Sequence, residues 1–245
     1  MAFTRPTYLA SSAWLEHIPF AFWLVYQQRP RIFVELGTHY GCSYFAFCQA
    51  IEKLSLDAAC YAIDTFKGDE HAGFYGEDVY GSVNHHNDTL YSQFSRVVRS
   101  TFDESVQYFE DGSVDILHID GLHTFEAVLH DFQTWRPKLS DSGVVIMHDT
   151  NVRERGFGVC TMLAQLRTEF PVFEFNHGHG LGIVGVGKNQ TAAMQALFAV
   201  DKQEESRRDV RNFFARLGRS CADTYAITKL QSQLKSTVNA HQAPL

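Results

Sequence analysis

The sequence predicts an α/β fold, a doubly wound and mostly parallel sheet, and three observations carry that expectation. First, the stretch from Arg31 to Ala50 changes its hydrophobic period at a glycine turn. Ile32, Phe33, Val34 and Leu36 form a nearly unbroken apolar run, as in a strand buried on both faces. Tyr44, Phe47, Cys48 and Ile51 then repeat at i, i+3, i+4 and i+7, as in a helix packed back onto that strand. Second, three later apolar runs, Ala59 to Asp64, Val114 to Asp120 and Gly143 to Met147, each end at or just before an acidic residue and alternate with helical patterns. Third, 245 residues with 45% hydrophobic side chains are enough for one domain with a substantial core.

The elements follow in order. Residues 1–30 read as a helical cover. Ser11 or Ser12 caps a turn and Pro19 suits a first helical position. Phe20, Trp23, Leu24 and Gln27 share a face, and Arg29-Pro30 ends the helix. In the opening unit Gly37 and Gly41 allow a tight turn and leave the first N–H groups of the next helix facing the space above the sheet, a site for an anionic or polar ligand. The spacing is G-x-x-x-G, so neither the dinucleotide fingerprint nor a phosphate-cradling loop is present. Asp64 lies 27 residues after Gly37, close to one crossover unit. An acidic residue at the tip of the second strand accepts hydrogen bonds from ribose hydroxyls in nucleoside-binding sheets.

Thr65 to Asn87 shows no convincing period and reads as a long aromatic loop, a lid, with His85 and His86 exposed at its exit. Arg96 to Ser100 is a third strand and Phe102 to Phe109 a short helix. Val114 to Asp120 is a central strand followed by a helix carrying Phe125, Val128, Leu129 and Phe132. Gly143 to Met147 ends in His148-Asp149-Thr150. After a helix near Gly158 to Thr168, the runs Val172 to Phe175 and Leu181 to Val186 flank a glycine-rich turn in which His177 and His179 read as turn residues. In the tail, one stripe (Val210, Phe213, Phe214, Leu217) and another (Ile227, Leu230, Leu234, Val238) predict two amphipathic helices with Gly218 between them. The expected organisation is a cover at 1–30, a main domain at 31–190 and a helical tail at 191–245 used for packing, homo-oligomerisation or attachment to a partner enzyme.

Composition narrows the function. A formal charge of -7, without Lys/Arg runs, argues against a nucleic-acid or anionic-membrane binder. Five cysteines without a C-x-x-C pair argue against a disulfide framework or structural zinc. The apolar run Ile18 to Tyr26 is too short to span a bilayer and does not look like a signal peptide. The expected setting is the cytoplasm and the expected partner a small molecule.

The segment V-E-L-G-T-H-Y-G-C-S (Val34 to Ser43) resembles the first motif of class I S-adenosylmethionine-dependent methyltransferases, most closely the metal-dependent O-methyltransferase branch of catechol and macrolide-sugar enzymes. I-D-G-L-H-x-F-x-x-V-x-x-D, from Ile119, followed by a strand ending His148-Asp149, resembles the second half of the same branch, so the likeness covers roughly residues 30–187. It implies a Rossmann-like seven-stranded sheet closed by a C-terminal antiparallel hairpin, with S-adenosyl-L-methionine as cofactor. It also implies cofactor contacts from Glu35, Gly37, Thr38, Gly41, Ser43, Asp64, Ser100, Thr101 and Asp120, with Ser43 on the carboxylate and Ser100 and Thr101 near the adenine. Asp120, His148 and Asp149 are the implied metal ligands and Asp120 and His123 the catalytic pair, with His123 the base toward an acceptor hydroxyl.

The chemistry explains those residue types. A hydroxyl is a poor nucleophile at neutral pH; a divalent cation lowers its pKa and orients it, and an imidazole takes the proton. Relatives have two adjacent carboxyl or amide ligands where this chain has His148-Asp149. An Asp-Asp-His set shifts preference from magnesium toward manganese, iron or zinc, whereas Asp-Asp with water keeps magnesium. His118, inside its strand, reads as a satisfied core histidine. The expected acceptor is a sugar or glycan hydroxyl. Two other classes are carried as alternatives: a metal-dependent hydrolase or hydroxylase using the Asp/His cluster, and a scaffold domain without turnover.

Overall fold

The computed structural model describes residues 1–242, with side chains to Thr237. The N-terminal arm leads into a short 3-10 turn, Ala13–His17, capped by the Ser12 hydroxyl, which accepts the Trp14 N–H at 3.0 Å. The elements that follow are α1 (Ile18–Gln28), β1 (Ile32–Leu36), α2 (Cys42–Lys53), β2 (Ala59–Asp64), β3 (Gly68–Asp69), β4 (Gly73–Phe74), α3 (Glu77–Leu90), β5 (Ser95–Arg99) and α4 (Phe102–Ser105). Then come β6 (Val114–Ile119), α5 (Phe125–Trp135), β7 (Leu139–His148), α6 (Val159–Leu166), β8 (Val172–Phe175), β9 (Leu181–Gly185), α7 (Ala192–Val200) and α8 (Glu204–Gln242).

Seven strands form one sheet in the order β5-β2-β1-β6-β7-β9-β8. The first five run parallel, and β9 pairs antiparallel with both β7 and β8, the expected closing hairpin. Because successive strand residues face opposite ways, β1 feeds two cores. Phe33 joins the cluster under α1, α2, α7 and α8, whereas Val34 and Leu36 join the one under α5 and α6. The segments expected as cover, domain and tail therefore share one core, to which Trp14, Phe20, Met194, Phe198 and Phe214 all contribute.

Three local expectations are corrected. Residues 65–87 are not an irregular loop: the two-residue strands β3 and β4 pair and α3 follows, its buried face being Val79, Val83 and Asn87. Gly81, Ser82, Asn84 and two histidines are weak helix formers and hid the period. His86 is half-buried rather than exposed, with its ring 4.4 Å from those of Tyr8 and Phe45. The tail is one short helix, α7, and a 39-residue helix, α8, that runs straight through Gly218. Ile227, Leu230 and Leu234 are exposed on α8, and the side chain of Val238 lies outside the described residues. Among the described residues no helix is long and apolar enough to cross a membrane.

Gly218 does not interrupt α8 but allows it to touch the N-terminal turn. A Cβ built at this position would collide with the Glu16 carbonyl group. In an exposed helix Gly→Ala normally stabilises by up to about 1 kcal/mol. Here Gly218→Ala is expected to destabilise by about 1 to 3 kcal/mol through overpacking, lowering Tm by about 2 to 4 °C for each kcal/mol. A thermal melt with unchanged or raised Tm would show that the helix does not press on the turn.

Candidate active site and metal centre

Parallel strands present their carboxyl ends along one edge of the sheet, and the candidate residues converge there. The edge opens into a cleft of about 500 Å³ lined by Gly37, Thr38, Ser43, Asp64, Thr101, Asp120, His123, His148 and Asp149 among others. Its floor is the β1–α2 turn. Gly37 has φ 89°, and a Cβ there would collide with the Asp120 carbonyl, so the turn can approach β6 only as glycine. The first intrahelical bond of α2 is Phe45 N–H to the Gly41 carbonyl at 3.0 Å, which leaves the N–H groups of Cys42 and Ser43 without an acceptor inside the helix.

Asp64 braces this turn. Its Oδ2 accepts the N–H groups of Thr38 (2.8 Å) and His39 (3.0 Å) and the Tyr75 hydroxyl (3.2 Å), while Oδ1 accepts Phe66 N–H at 2.7 Å. Those two turn N–H groups thus face Asp64 rather than a ligand, and of the carboxylate's roughly four acceptor positions one, on Oδ1, remains. Glu35, Gly41 and Ser100 are not among the lining residues. The Ser100 and Thr101 hydroxyls bond the Glu104 carboxylate at 3.3 and 2.9 Å, which caps α4.

Glu35 lies fully buried beneath the floor, with Oε2 2.8 Å from His118 Nδ1. Trp14 Nε1–H donates to His118 Nε2 at 3.1 Å, so that nitrogen carries the lone pair and Nδ1–H donates to Glu35. His118 is therefore the satisfied core histidine expected from its place inside a strand. Burial pushes the Glu35 carboxyl above its ordinary range, against the opposing pull of His118 and the Ser43 hydroxyl.

On the reaction side, His123 Nε2 lies 3.3 Å from Asp120 Oδ1 and 2.9 Å from Asp149 Oδ2. His148 Nδ1 lies 3.4 Å from each of the same two oxygens. Burial disfavours charge on all four groups, but the mutual attraction outweighs it. Both carboxyls are held below the usual range, His148 is pushed well up, and His123 rises to about 9.

The donor set fits a divalent cation. His148 Nε2 donates to the Gly178 carbonyl at 2.9 Å, so a neutral ring aims the bare lone pair of Nδ1 at two carboxylates. That arrangement is repulsive unless Nδ1 holds a proton or a metal ion. Ligands on one octahedral ion at about 2.1 Å lie about 3 Å apart, near the spacings found here. Asp120, His123 and Asp149 also offer donor atoms within 4.8 Å of one another.

Several residues around the cleft carried no recognisable sequence signal. His179, set aside as a turn residue, does sit in the β8–β9 turn, yet its Nδ1 reaches Asp149 Oδ1 at 3.1 Å. Phe157 stacks on His123 with ring centroids 4.7 Å apart and an interplanar angle of 9°. His71, from the β3–β4 hairpin, stacks on Phe157 at 4.3 Å and also lies 5.6 Å from the His123 ring. Arg155 ties the two loops together: its Nη2 donates to the carbonyls of Glu70 (2.9 Å) and His71 (3.0 Å), and its own carbonyl lies 2.9 Å from His71 Nε2. Only the H-x-H pair at His177 and His179 offered a local hint; nothing local pointed to Phe157 or Arg155.

This strand order and this cleft define the class I, S-adenosylmethionine-type methyltransferase fold. Residues 34–150 match the model of the family described as "Methyltransferase domain". The uncharacterized protein y4gI of Sinorhizobium fredii is 54% identical over 177 residues, which is 72% of this chain but 19% of its own length, so the chain spans about a fifth of that relative. Among solved structures, a Staphylococcus aureus protein provisionally named a caffeoyl-CoA O-methyltransferase matches at TM-score 0.53 and 16% identity, covering 69% of this chain and 81% of that one. SAH-bound methyltransferase PaMTH1 of Podospora anserina matches at TM-score 0.54 and 10% identity over 69% and 77% of the two chains. Cofactor-bound Rv0187 from MTB matches at TM-score 0.54 and 13% identity over 77% and 86%. At these identities the structural likenesses establish the fold.

Two predictions follow from the geometry. With its pKa raised to about 9 from 6.5, His123 carries below that pH a proton that any cation on the same carboxylates must displace. Metal affinity is expected to climb as pH rises from 6.5 toward 9, with proton release on binding. Calorimetry of Mn²⁺ binding in buffers of different ionisation enthalpy measures the release, and none across that window would remove the His123 proton from the site. For the loop clasp, Arg155→Ala removes two exposed hydrogen bonds together worth about 1 kcal/mol. The expected result is roughly five-fold faster tryptic cleavage after Lys67; an unchanged rate would mean that the guanidinium does not hold the hairpin.

Proposed function

We propose that the chain is an S-adenosylmethionine-dependent O-methyltransferase that uses a divalent metal held by Asp120, His148 and Asp149 and acts on a sugar or glycan hydroxyl. The observation that carries this reading is the placement of His123 Nε2 between Asp120 Oδ1 and Asp149 Oδ2, at 3.3 and 2.9 Å, in the same cleft as the Gly37 turn. When bound, the sulfonium cofactor supplies the methyl group and leaves as its thioether, and the cation supplies the positive charge that acidifies the acceptor hydroxyl.

The chain's own residues do the rest. The β1–α2 turn would hold the cofactor: Ser43 and the free N–H groups of α2 would meet its carboxylate, and the remaining acceptor position of Asp64 would take a ribose hydroxyl. His123 Nε2 accepts the hydroxyl proton as the new O–C bond forms and the S–C bond breaks. Phe157, stacked on His123, restricts the imidazole plane, and the β3–β4 hairpin with the loop at 151–158 keeps water from the reacting atoms. The lining mixes carboxylates (Asp64, Asp69, Asp120, Asp149) with Arg155 and histidines, polar groups that suit a polyhydroxylated acceptor such as a sugar.

The roles separate by substitution. Asp120→Asn and Asp149→Asn are expected to lose metal binding and methyl transfer together while cofactor binding persists. His123→Ala is expected to retain metal and cofactor but slow methyl transfer by about 100- to 10,000-fold, the range for losing a general base. The assay is methyl transfer from labelled cofactor to a panel of methyl glycosides across a Mn²⁺ titration. Full activity in a chelator would remove the metal, and near-normal turnover of His123→Ala would remove the base.

A further inference from the structure

The N-terminal turn Ala13–His17 lies against the back of the proposed metal centre, and it is built for a closer role than cover. His17 is fully buried, and its Nε2 lies 3.0 Å from the Gly178 carbonyl. That same oxygen takes the Nε2–H of His148 at 2.9 Å. A carbonyl has two lone pairs, so two donors satisfy it. Among the described residues His17 Nδ1 has no partner, so the carbonyl is the acceptor that draws the ring's proton to Nε2.

The turn containing Gly178 is shaped around this contact. Gly178 has φ 54°, and a Cβ there would sit 2.8 Å from His17 Nε2, so only glycine lets the carbonyl stand between the two imidazoles. The His17 and His148 ring centroids are 5.6 Å apart at 81°, and Trp14 contacts both rings from the same turn.

We propose that His17 is a positioning residue of the metal centre: by anchoring the Gly178 carbonyl it fixes the ring orientation and tautomer that present His148 Nδ1 to the cation. This rests on reading His148, Asp120 and Asp149 as the ligands. Partners of this kind behind metal-bound histidines typically contribute 10- to 100-fold in metal affinity.

The test is Mn²⁺ binding to the full chain, with the melting temperature of each metal-free variant as control. His17→Phe fills the space without a donor and is expected to bind Mn²⁺ about 10- to 100-fold more weakly. His17→Gln places an amide N–H near the position of Nε2 and is expected to recover most of the affinity, a rescue that mere packing would not produce. Wild-type affinity in a folded His17→Phe, alongside lost binding in Asp120→Asn, overturns the positioning role and leaves the metal reading intact. Wild-type affinity in Asp120→Asn overturns the metal reading and this inference with it. Should His17→Phe not fold, long-range ¹H–¹⁵N correlation spectra of the Zn²⁺-loaded wild type decide. Both His17 and His148 are expected to be protonated at Nε2 alone; a proton on His148 Nδ1, or a bare Nε2 on His17, overturns the proposal.

Discussion

Two carboxylates forced together at the edge of a parallel sheet are the constraint on which the rest of the structure depends. Asp120 follows β6, and Asp149 follows the neighbouring strand β7, so adjacent parallel strands bring the pair together. At separations within 4.8 Å, two such charges repel by about 3 to 4 kcal/mol at an effective dielectric near 20. His123 and His148 supply the compensation, each reaching both carboxylates. Asp149 sits at φ 60°, a left-handed conformation a non-glycine residue adopts at a cost, and this backbone twist delivers one of its oxygens to His123 and the other to His179.

The same constraint explains why distant parts of the chain crowd behind the cleft. A partner on the second nitrogen helps a buried imidazole hold its charge; His148 has one, whereas His123 Nδ1 has none among the described residues. For His148 that partner is the Gly178 carbonyl in the β8–β9 turn, which also engages His17. His17 in turn belongs to a short 3-10 segment pressed by α8 through Gly218. Three residues earlier in the same turn, Trp14 orients His118, which pairs with Glu35 beneath the cofactor side of the cleft. A single N-terminal turn thus braces both halves of the site, and the long helix braces the turn.

Legibility in the sequence divides along the line between local and distant contacts. The strand, glycine turn and helix at Arg31 to Ala50, the segment around Asp120 and His123, and the His148-Asp149 end of β7 each carry their own local signature of period, glycine or strand-terminal acid. All three lie where they were expected. Phe157, Arg155 and His17 carry none, and His179 only the H-x-H hint, because each acts through a partner between 30 and 161 residues away along the chain or, like Phe157 on His123, through a ring face that has no periodic signature. The helix α3 was hidden for a related reason. Its residues favour other conformations, and it forms because Val79 and Val83 are buried against a surface assembled elsewhere. Gly218 misled in the opposite direction: a glycine between two apolar stripes reads as a break, but its role is to let backbone approach backbone across 202 residues of sequence.

The electrostatics of the site also bear on how the proposed base works. In the metal-free protein His123 is raised to about 9, so at neutral pH it holds its proton and cannot accept another. The groups that raise it are the two carboxylates assigned to the cation. Charge taken up by Asp120 and Asp149 is charge no longer available to hold a proton on His123, so loading the site moves the imidazole back toward its ordinary range and frees Nε2. In the proposed reading base and ligands form one coupled unit, with His123 competent only when the carboxylates have another partner. That reading would account physically for a base three residues from a ligand: the short loop that would give Asp120 to the cation also gives His123 the hydrogen bond that would keep it protonated until the site is filled.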